Sequence, residues 1–204
     1  MHTSDIMYAY MENRLLELIQ KQKGMITTQQ AKKAGFSSIY LTNLVRKGLI
    51  ERVYKGVYLD VNAFGDEYYL FQVKHSKAIF CHNTALYFHH FSERTPGKMD
   101  VCVYRGYNPH MFPSHVKVHY VSKQNYKLGL ERMISPQGQE VMCYNLERTI
   151  CDLIKNNTSL DNETRNKSLR LIFKSGQINE HVLLDYAVQL KCKYKINMFI
   201  ELLE

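Results

Sequence analysis

The chain has 204 residues, of which 45% are hydrophobic and 23% charged. This is an ordinary globular composition, which excludes a collagen-like or wholly disordered chain. No apolar run approaches the ~20 residues that cross a bilayer, and no basic segment precedes an apolar block at the start, so we expect neither a membrane span nor a secretory signal peptide. Five cysteines, none in a CxxC pair, indicate reduced thiols in a cytoplasmic protein.

The net charge of +8 favours a polyanionic partner such as nucleic acid. Residues 20–60 hold eight Lys and Arg against two acids, so this segment carries +6 and the rest of the chain only +2. Most of the positive charge therefore belongs to one short stretch near the N-terminus.

Three helices are predicted in and before this basic stretch. Apolar residues recur with helical spacing over residues 9–22. A short second helix runs from its N-cap Thr27 to Gly35, and a third spans residues 38–47 after the N-cap Ser37.

A hairpin follows the third helix. The β-branched runs 50–54 and 57–59 are joined by Lys55 and Gly56, which predicts a tight turn with a cationic tip. This order is that of a winged helix-turn-helix, whose third helix enters the major groove while the hairpin, or wing, reaches the flanking backbone. The alternative is a small helical domain with a solvated basic face. Charge and element order together favour DNA binding.

The candidate DNA contacts fall into two groups. Base edges would be read by side chains of the third helix, since Asn suits adenine and Arg suits guanine, while Lys32, Lys33, Arg52 and Lys55 would contact phosphate. Tyr54 could stack on a base or touch the backbone. The full set is Lys32, Lys33, Ser38, Tyr40, Thr42, Asn43, Arg46, Lys47, Arg52, Tyr54 and Lys55.

The pattern changes after residue 62. Helices are predicted over 65–77, 85–91 (capped by Asn83 or Thr84), 146–155 (capped by Asn145), 163–174, 179–191 and 195–203, and strands over 99–104, 116–121 and 139–144. The predicted fold class is α+β: an N-terminal winged helix-turn-helix domain, residues 1–62, followed by a mixed α+β domain, residues 63–204.

The sequence resembles a known family. The run MITTQQAKKAGFSSIYLTNLVRKGLIERVYKGVYL, residues 25–59, resembles the N-terminal domain of the AbiEi antitoxins of bacterial abortive-infection (type IV) toxin–antitoxin systems. The second domain resembles the corresponding part of the same family in three motifs: HNTAL at 82–86, RTP at 94–96 and YNLERTICDL at 144–153.

The resemblance implies a two-part role. The winged helix would bind inverted repeats in double-stranded DNA at its own promoter and repress the operon. The second domain would counteract a nucleotidyltransferase toxin without a stable complex. Because such a toxin acts on nucleotide or nucleic-acid substrates, we select Lys98, Arg105, Lys117 and Arg148 as a candidate antitoxin surface. A helical salt bridge from Arg148 to Asp152 is the structural interpretation of that arginine.

A metal-dependent nuclease is the enzymatic alternative. Asp100 begins a strand and Lys117 lies on the next, as in folds that bind a hydrolytic metal. The residue two before Lys117 is His115, however, so the second acidic ligand is missing. We therefore expect no enzyme activity and no cofactor. A transcription regulator without an antitoxin role remains a further alternative.

A histidine metal site is also considered. His75, His82 and His89 lie seven apart and would form a stripe on one unbroken helix. The expected cap at Asn83 or Thr84 interrupts that helix. We therefore predict no metal site from this stripe.

Overall fold

A computed structural model describes residues 3–92, 94–155 and 160–202. The chain forms two compact units: residues 1–74 with 135–139, and residues 75–134 with 140–204. Helices precede sheets in an α+β arrangement, which confirms the predicted fold class. The functional division after residue 62 stays a prediction. No helix within the described ranges is long and apolar enough to cross a bilayer.

In its described part, the first unit combines four helices with a small sheet. Its antiparallel strands have the order β1-β3-β2. The elements are α1 (Thr3–Lys21), β1 (Met25–Thr27), α2 (Thr28–Lys33), α3 (Ser38–Arg46), β2 (Ile50–Tyr54), β3 (Val57–Asp60) and α4 (Glu67–Lys74).

Local hydrogen bonds explain where the short helices begin. The Thr27 hydroxyl accepts from the Gln30 backbone N–H at 3.1 Å, and the Gln30 side chain accepts from the Thr27 N–H at 2.7 Å, a complete capping box. The Ser37 hydroxyl accepts from the backbone N–H of Ile39 at 3.5 Å. The predicted N-caps of α2 and α3 are thus confirmed.

Apolar side chains of the helices pack on both faces of the sheet in the first unit. Leu15 and Ile19 of α1 are buried with Leu41 and Leu44 of α3, while Tyr69, Leu70 and Val73 of α4 pack on Met25, Val57 and Leu59. The basic segment therefore lies on a scaffold whose apolar clusters contain none of its Lys or Arg side chains.

The second unit contains a five-stranded mixed sheet and five helices within its described residues. The strand order is β6-β5-β4-β8-β7, with β5–β6 and β4–β8 parallel. The elements are β4 (Ile79–Phe80), α5 (His82–Phe88), β5 (Met99–Tyr104), β6 (Val116–Val121), β7 (Leu130–Ile134), β8 (Glu140–Tyr144), α6 (Leu146–Lys155), α7 (Asn162–Lys174), α8 (Glu180–Gln189) and α9 (Lys193–Glu201).

Helix α5 begins three residues earlier than predicted. Cys81 occupies the N-cap, and the expected caps Asn83 and Thr84 lie inside the helix. The Thr84 hydroxyl instead accepts from the backbone N–H of Asp100 at 2.8 Å, which ties α5 to β5. The prediction of a cap at Asn83 or Thr84 is wrong because this bond depends on a strand 16 residues away.

Arg148 is buried, with 1% of its surface exposed. Its Nε donates to the Asp152 carboxylate at 2.9 Å, and its Nη1 donates to the carbonyl oxygens of Asn125 and Leu128 at 2.8 and 2.9 Å. Its guanidinium carbon lies 4.2 Å from the centre of the Tyr144 ring. The salt bridge to Asp152 is therefore confirmed, whereas the place of Arg148 on an exposed antitoxin surface is wrong.

Replacing Arg148 by Ala should lower the free energy of unfolding by about 3–5 kcal/mol, because the Asp152 carboxylate would stay buried without its counter-ion. Urea unfolding followed by circular dichroism measures this loss. The matched control is Arg132→Ala, which breaks an exposed 3.1 Å salt bridge to Glu140 and should cost at most about 1 kcal/mol. Equal losses in the two variants would contradict the structural role of Arg148.

Candidate nucleic-acid interface

Helix α3 presents one polar stripe to solvent. Ser38, Thr42 and Arg46 follow one another at intervals of four residues and are all exposed, whereas Leu41 and Leu44 are buried. The Thr42 hydroxyl donates to the Ser38 carbonyl at 3.2 Å, which holds its side chain along the helix. The stripe leaves the Arg46 guanidinium available to a partner.

Two further side chains border this stripe. Asn43 is half-buried beside it, and Ile39 is 51% exposed. Ile39 was not among the predicted contacts, although an exposed β-branched residue on a recognition helix can contact a thymine methyl group. Ile39 directly follows Ser38, a predicted DNA contact, and this position could have indicated Ile39 as a further contact.

Tyr40, one of the predicted DNA contacts, is only partly open to solvent. It is half-buried, and its ring centroid lies 5.7 Å from that of Tyr8 and 6.4 Å from that of Phe36. Packing against two aromatic rings removes more apolar surface from water than an exposed position would allow. Tyr40 therefore supports the packing of α1 on α3.

Lys47 also has a structural partner. Its ammonium group forms an ion pair with the carboxylate of Glu12 on α1. The Glu12 side chain is only 7% exposed, and a carboxylate so buried requires a counter-ion. Lys47 remains half-exposed, but its charge is already partly neutralised within the unit.

The wing tip is tied to the start of α2. Gly56 has φ +78°, and its carbonyl accepts from the backbone N–H of Thr28 at 2.8 Å. The β2–β3 register shifts between Arg52 and Tyr54, so the strand contains a bulge immediately before the turn. Lys55 is exposed at the tip.

The remaining cations of the interface are exposed. Lys32 and Lys33 lie in the last turn of α2, where the helix dipole also favours positive charge. Arg52 is exposed on β2 and its Nε donates to the Tyr54 carbonyl at 3.3 Å. The Lys74 ammonium lies 5.1 Å from the centre of the Tyr54 ring, so this tyrosine has a cation contact within its own unit.

The cations selected in the second unit do not form one face. Lys98 precedes β5 and Arg105 follows it, so six strand residues separate them, or roughly 20 Å. Lys117 on β6 is half-buried and lies opposite Asp100 in the parallel pair β5–β6. The Asp100 carboxylate is 1% exposed and accepts from His119 Nε2 at 2.7 Å, so it is already engaged rather than free for a hydrolytic metal.

A cleft of about 350 Å³ lies in the second unit. Arg105, Arg148 and Lys155 contribute positive charge to its wall, together with the imidazoles of His82 and His119. Burial, and then the charges of His119 and Arg148, lower the pKa of His82 well below its usual range, so this imidazole is neutral at pH 7. The cleft is not predictable from the sequence because its wall combines residues more than 60 positions apart.

Comparison with known proteins gives one match, within the first unit. Residues 13–59 match the family model described as a transcriptional regulator, AbiEi antitoxin. No curated protein matches the chain. The resemblance predicted from the sequence is confirmed for this segment, which runs from α1 to β3. The family is regulatory, which implies DNA binding and favours a non-enzymatic role.

Replacing Asn43 by Ala should weaken specific DNA binding by about 1–3 kcal/mol and relax the preference for one base pair. The reason is that a bidentate amide contact to adenine would be lost. Fluorescence anisotropy with the upstream promoter fragment and single-base variants of it measures both effects. Asn13→Ala, on the exposed face of α1, is the control and should bind as the native chain does. An equal loss for specific and random DNA in Asn43→Ala would contradict base reading by this residue.

Proposed function

We propose that this AbiEi-type regulator is a type IV antitoxin that represses its own operon in the cytoplasm. Residues 1–62 would bind inverted repeats in the promoter. Residues 63–204 would counteract a nucleotidyltransferase toxin without forming a stable complex with it. The observation that carries the proposal is the match of residues 13–59 to the regulator family over the same elements that bear the exposed cations.

Helix α3 would enter the major groove along its polar stripe. An α-helix with its side chains is about 10–12 Å in diameter, which suits the ~12 Å width of that groove. Arg46 and Asn43 would read base edges, with Ser38 and Thr42 beside them. An inverted repeat has two-fold symmetry, so we expect two copies of the chain on one operator.

The wing and α2 would contact the DNA backbone on either side. Lys32, Lys33, Arg52 and Lys55 are exposed, and each can neutralise one phosphate. Lys47 contributes less because its ammonium group already pairs with Glu12. With Arg46, about five cations are available for phosphate or base contacts.

Specific binding should depend steeply on salt. If four to six cations contact DNA, the logarithm of the association constant should fall with the logarithm of salt concentration at a slope of roughly −4 to −5. Lys55→Ala should make this slope less negative by about 1. Lys98→Ala removes an exposed cation of the second unit and should leave the slope unchanged. A native slope near zero would mean that the basic segment is only a solvated surface.

We assign the antitoxin role to the second domain because it is large and has an apolar core of its own. Helices α6 to α9 enclose an apolar cluster that includes Leu153, Leu169, Ile172, Leu183 and Ile196, a larger structure than support of a wing requires. Among the selected cations, Lys98, Arg105 and Lys117 remain candidates for competing with the toxin for its substrate. Arg148 would act only by shaping the cleft.

A variant of the full chain that is deficient in DNA binding separates the two roles. Arg46→Ala combined with Lys55→Ala should abolish repression of a promoter–reporter fusion, because one base contact and one phosphate contact are lost. The same variant should still protect cells in which the adjacent toxin gene is transcribed from an unrelated inducible promoter. Arg105→Ala should give the reverse result, with repression kept and protection reduced.

Loss of protection in the variant that is deficient in DNA binding would show that the toxin is neutralised through repression alone. Protection absent even with the native chain would favour a regulator without an antitoxin role. Both measurements use the intact chain, because α4 extends to Lys74 and packs on the sheet of the first unit, so a cut after residue 62 would expose that sheet.

A further inference from the structure

Three potential metal ligands meet in the second unit where β4, α5 and β6 come together. Cys81 precedes α5, His82 is its first residue and His119 lies on β6. The Cys81 sulfur lies 3.2 Å from His82 Nδ1, and the rings of His82 and His119 stack with centroids 3.9 Å apart. One ligand atom from each residue falls within 4.8 Å of the other two.

His82 is strained and incompletely bonded. Its φ of +47° lies in the left-handed region, which is costly for a non-glycine residue and is concentrated at functional sites. Its side chain is buried, yet Nε2 has no hydrogen-bond partner among the described residues. A buried imidazole nitrogen without a partner is destabilising. The His82 residue also forms part of the cleft wall.

His119 is oriented by a buried carboxylate. Its Nε2 is bonded to Asp100, which leaves Nδ1 as the nitrogen with a lone pair for another partner. A histidine that donates one ring N–H to a carboxylate and offers the other nitrogen outward is the usual arrangement behind a metal-bound imidazole. Asp100 is 1% exposed and its place on β5 is fixed by the Thr84 hydroxyl.

We propose that Cys81, His82 and His119 bind one Zn²⁺ ion, with Asp100 as the positioning residue behind His119. A thiolate with two imidazoles is a donor set that zinc prefers over Mg²⁺ or Ca²⁺, which take oxygen ligands. In tetrahedral zinc, a thiolate sulfur and an imidazole nitrogen lie about 3.6 Å apart, close to the observed separation of Cys81 and His82.

The residues His82 and His119 line the cleft, so the fourth coordination position would be open to it. Arg105, Lys155 and Asn125 line the same space, so an anionic or water ligand on the ion would meet polar groups there. The ion would join α5 to β6 through His82 and His119, which are 37 positions apart in the chain. This proposal does not rest on the DNA-binding function, which uses residues of the other unit.

The test uses the full chain without an affinity tag, freed of metal by a chelator and dialysed. Calorimetric titration with Zn²⁺ should give one ion per chain. Cys81→Ser and His119→Gln should each weaken binding by more than about 100-fold, and Asp100→Asn by about 10–100-fold. Cys192→Ser and His110→Gln are matched controls and should keep native affinity, since Ser suits the helix N-cap that Cys192 occupies and His110 is exposed in a loop.

Cobalt substitution provides a readout that does not depend on a variant folding. The native chain with Co²⁺ should show a thiolate-to-cobalt charge-transfer band, which Cys192→Ser should retain and Cys81→Ser should lose. Absence of zinc binding, or cobalt binding without that band, would overturn the site. Anisotropy with promoter DNA in chelator is measured in parallel. Unchanged DNA binding in a chain that binds no zinc would reject the metal site and leave the proposed function intact.

Discussion

The buried guanidinium of Arg148 is the interaction on which the second unit depends. It joins α6 to the segment after β6 through the carbonyls of Asn125 and Leu128, and it covers the Tyr144 ring of β8. Burial alone would lower the pKa of Arg148, but Asp152 and Tyr144 raise it above its usual value, so the group stays charged. The chain also approaches closely here: a Cβ at Gly129 would lie 2.5 Å from the Arg148 Cβ. The end of β8, the segment after β6 and the start of α6 therefore meet at one charge.

The first unit achieves the opposite arrangement, because its cations stay outside the core. Apolar side chains and short local hydrogen bonds stabilise it, and Glu12 is a buried acid that takes one of the lysines as its counter-ion. What remains exposed is positive charge on three elements that follow one another in the chain. A binding surface of this kind can be recognised from composition, whereas the cleft of the second unit cannot.

Elements with strong local signals were predicted from the sequence, and those that depend on distant partners were not. The Thr27 cap and the hairpin turn at Gly56 follow from adjacent residues. Strands β1, β4 and β7 were missed because two to five residues carry too little periodicity, and β4 is stabilised by pairing with β5 and β8. The same limit applies to single side chains. The ion pair of Lys47 joins residues 35 positions apart, and the contact of His82 with His119 requires the parallel pairing of β5 and β6.

The bond from Thr28 to Gly56 has a mechanical consequence for recognition. The wing tip and the first turn of α2 are joined at 2.8 Å, and β3 is the central strand of its sheet, so the hairpin and α2 are held at a fixed spacing. In the proposed complex, a surface of fixed spacing would not adjust to each duplex that it meets. DNA whose grooves are too wide or too narrow would have to deform, and the energy of deformation depends on base steps that the protein does not touch. Part of the operator would then be selected by its flexibility.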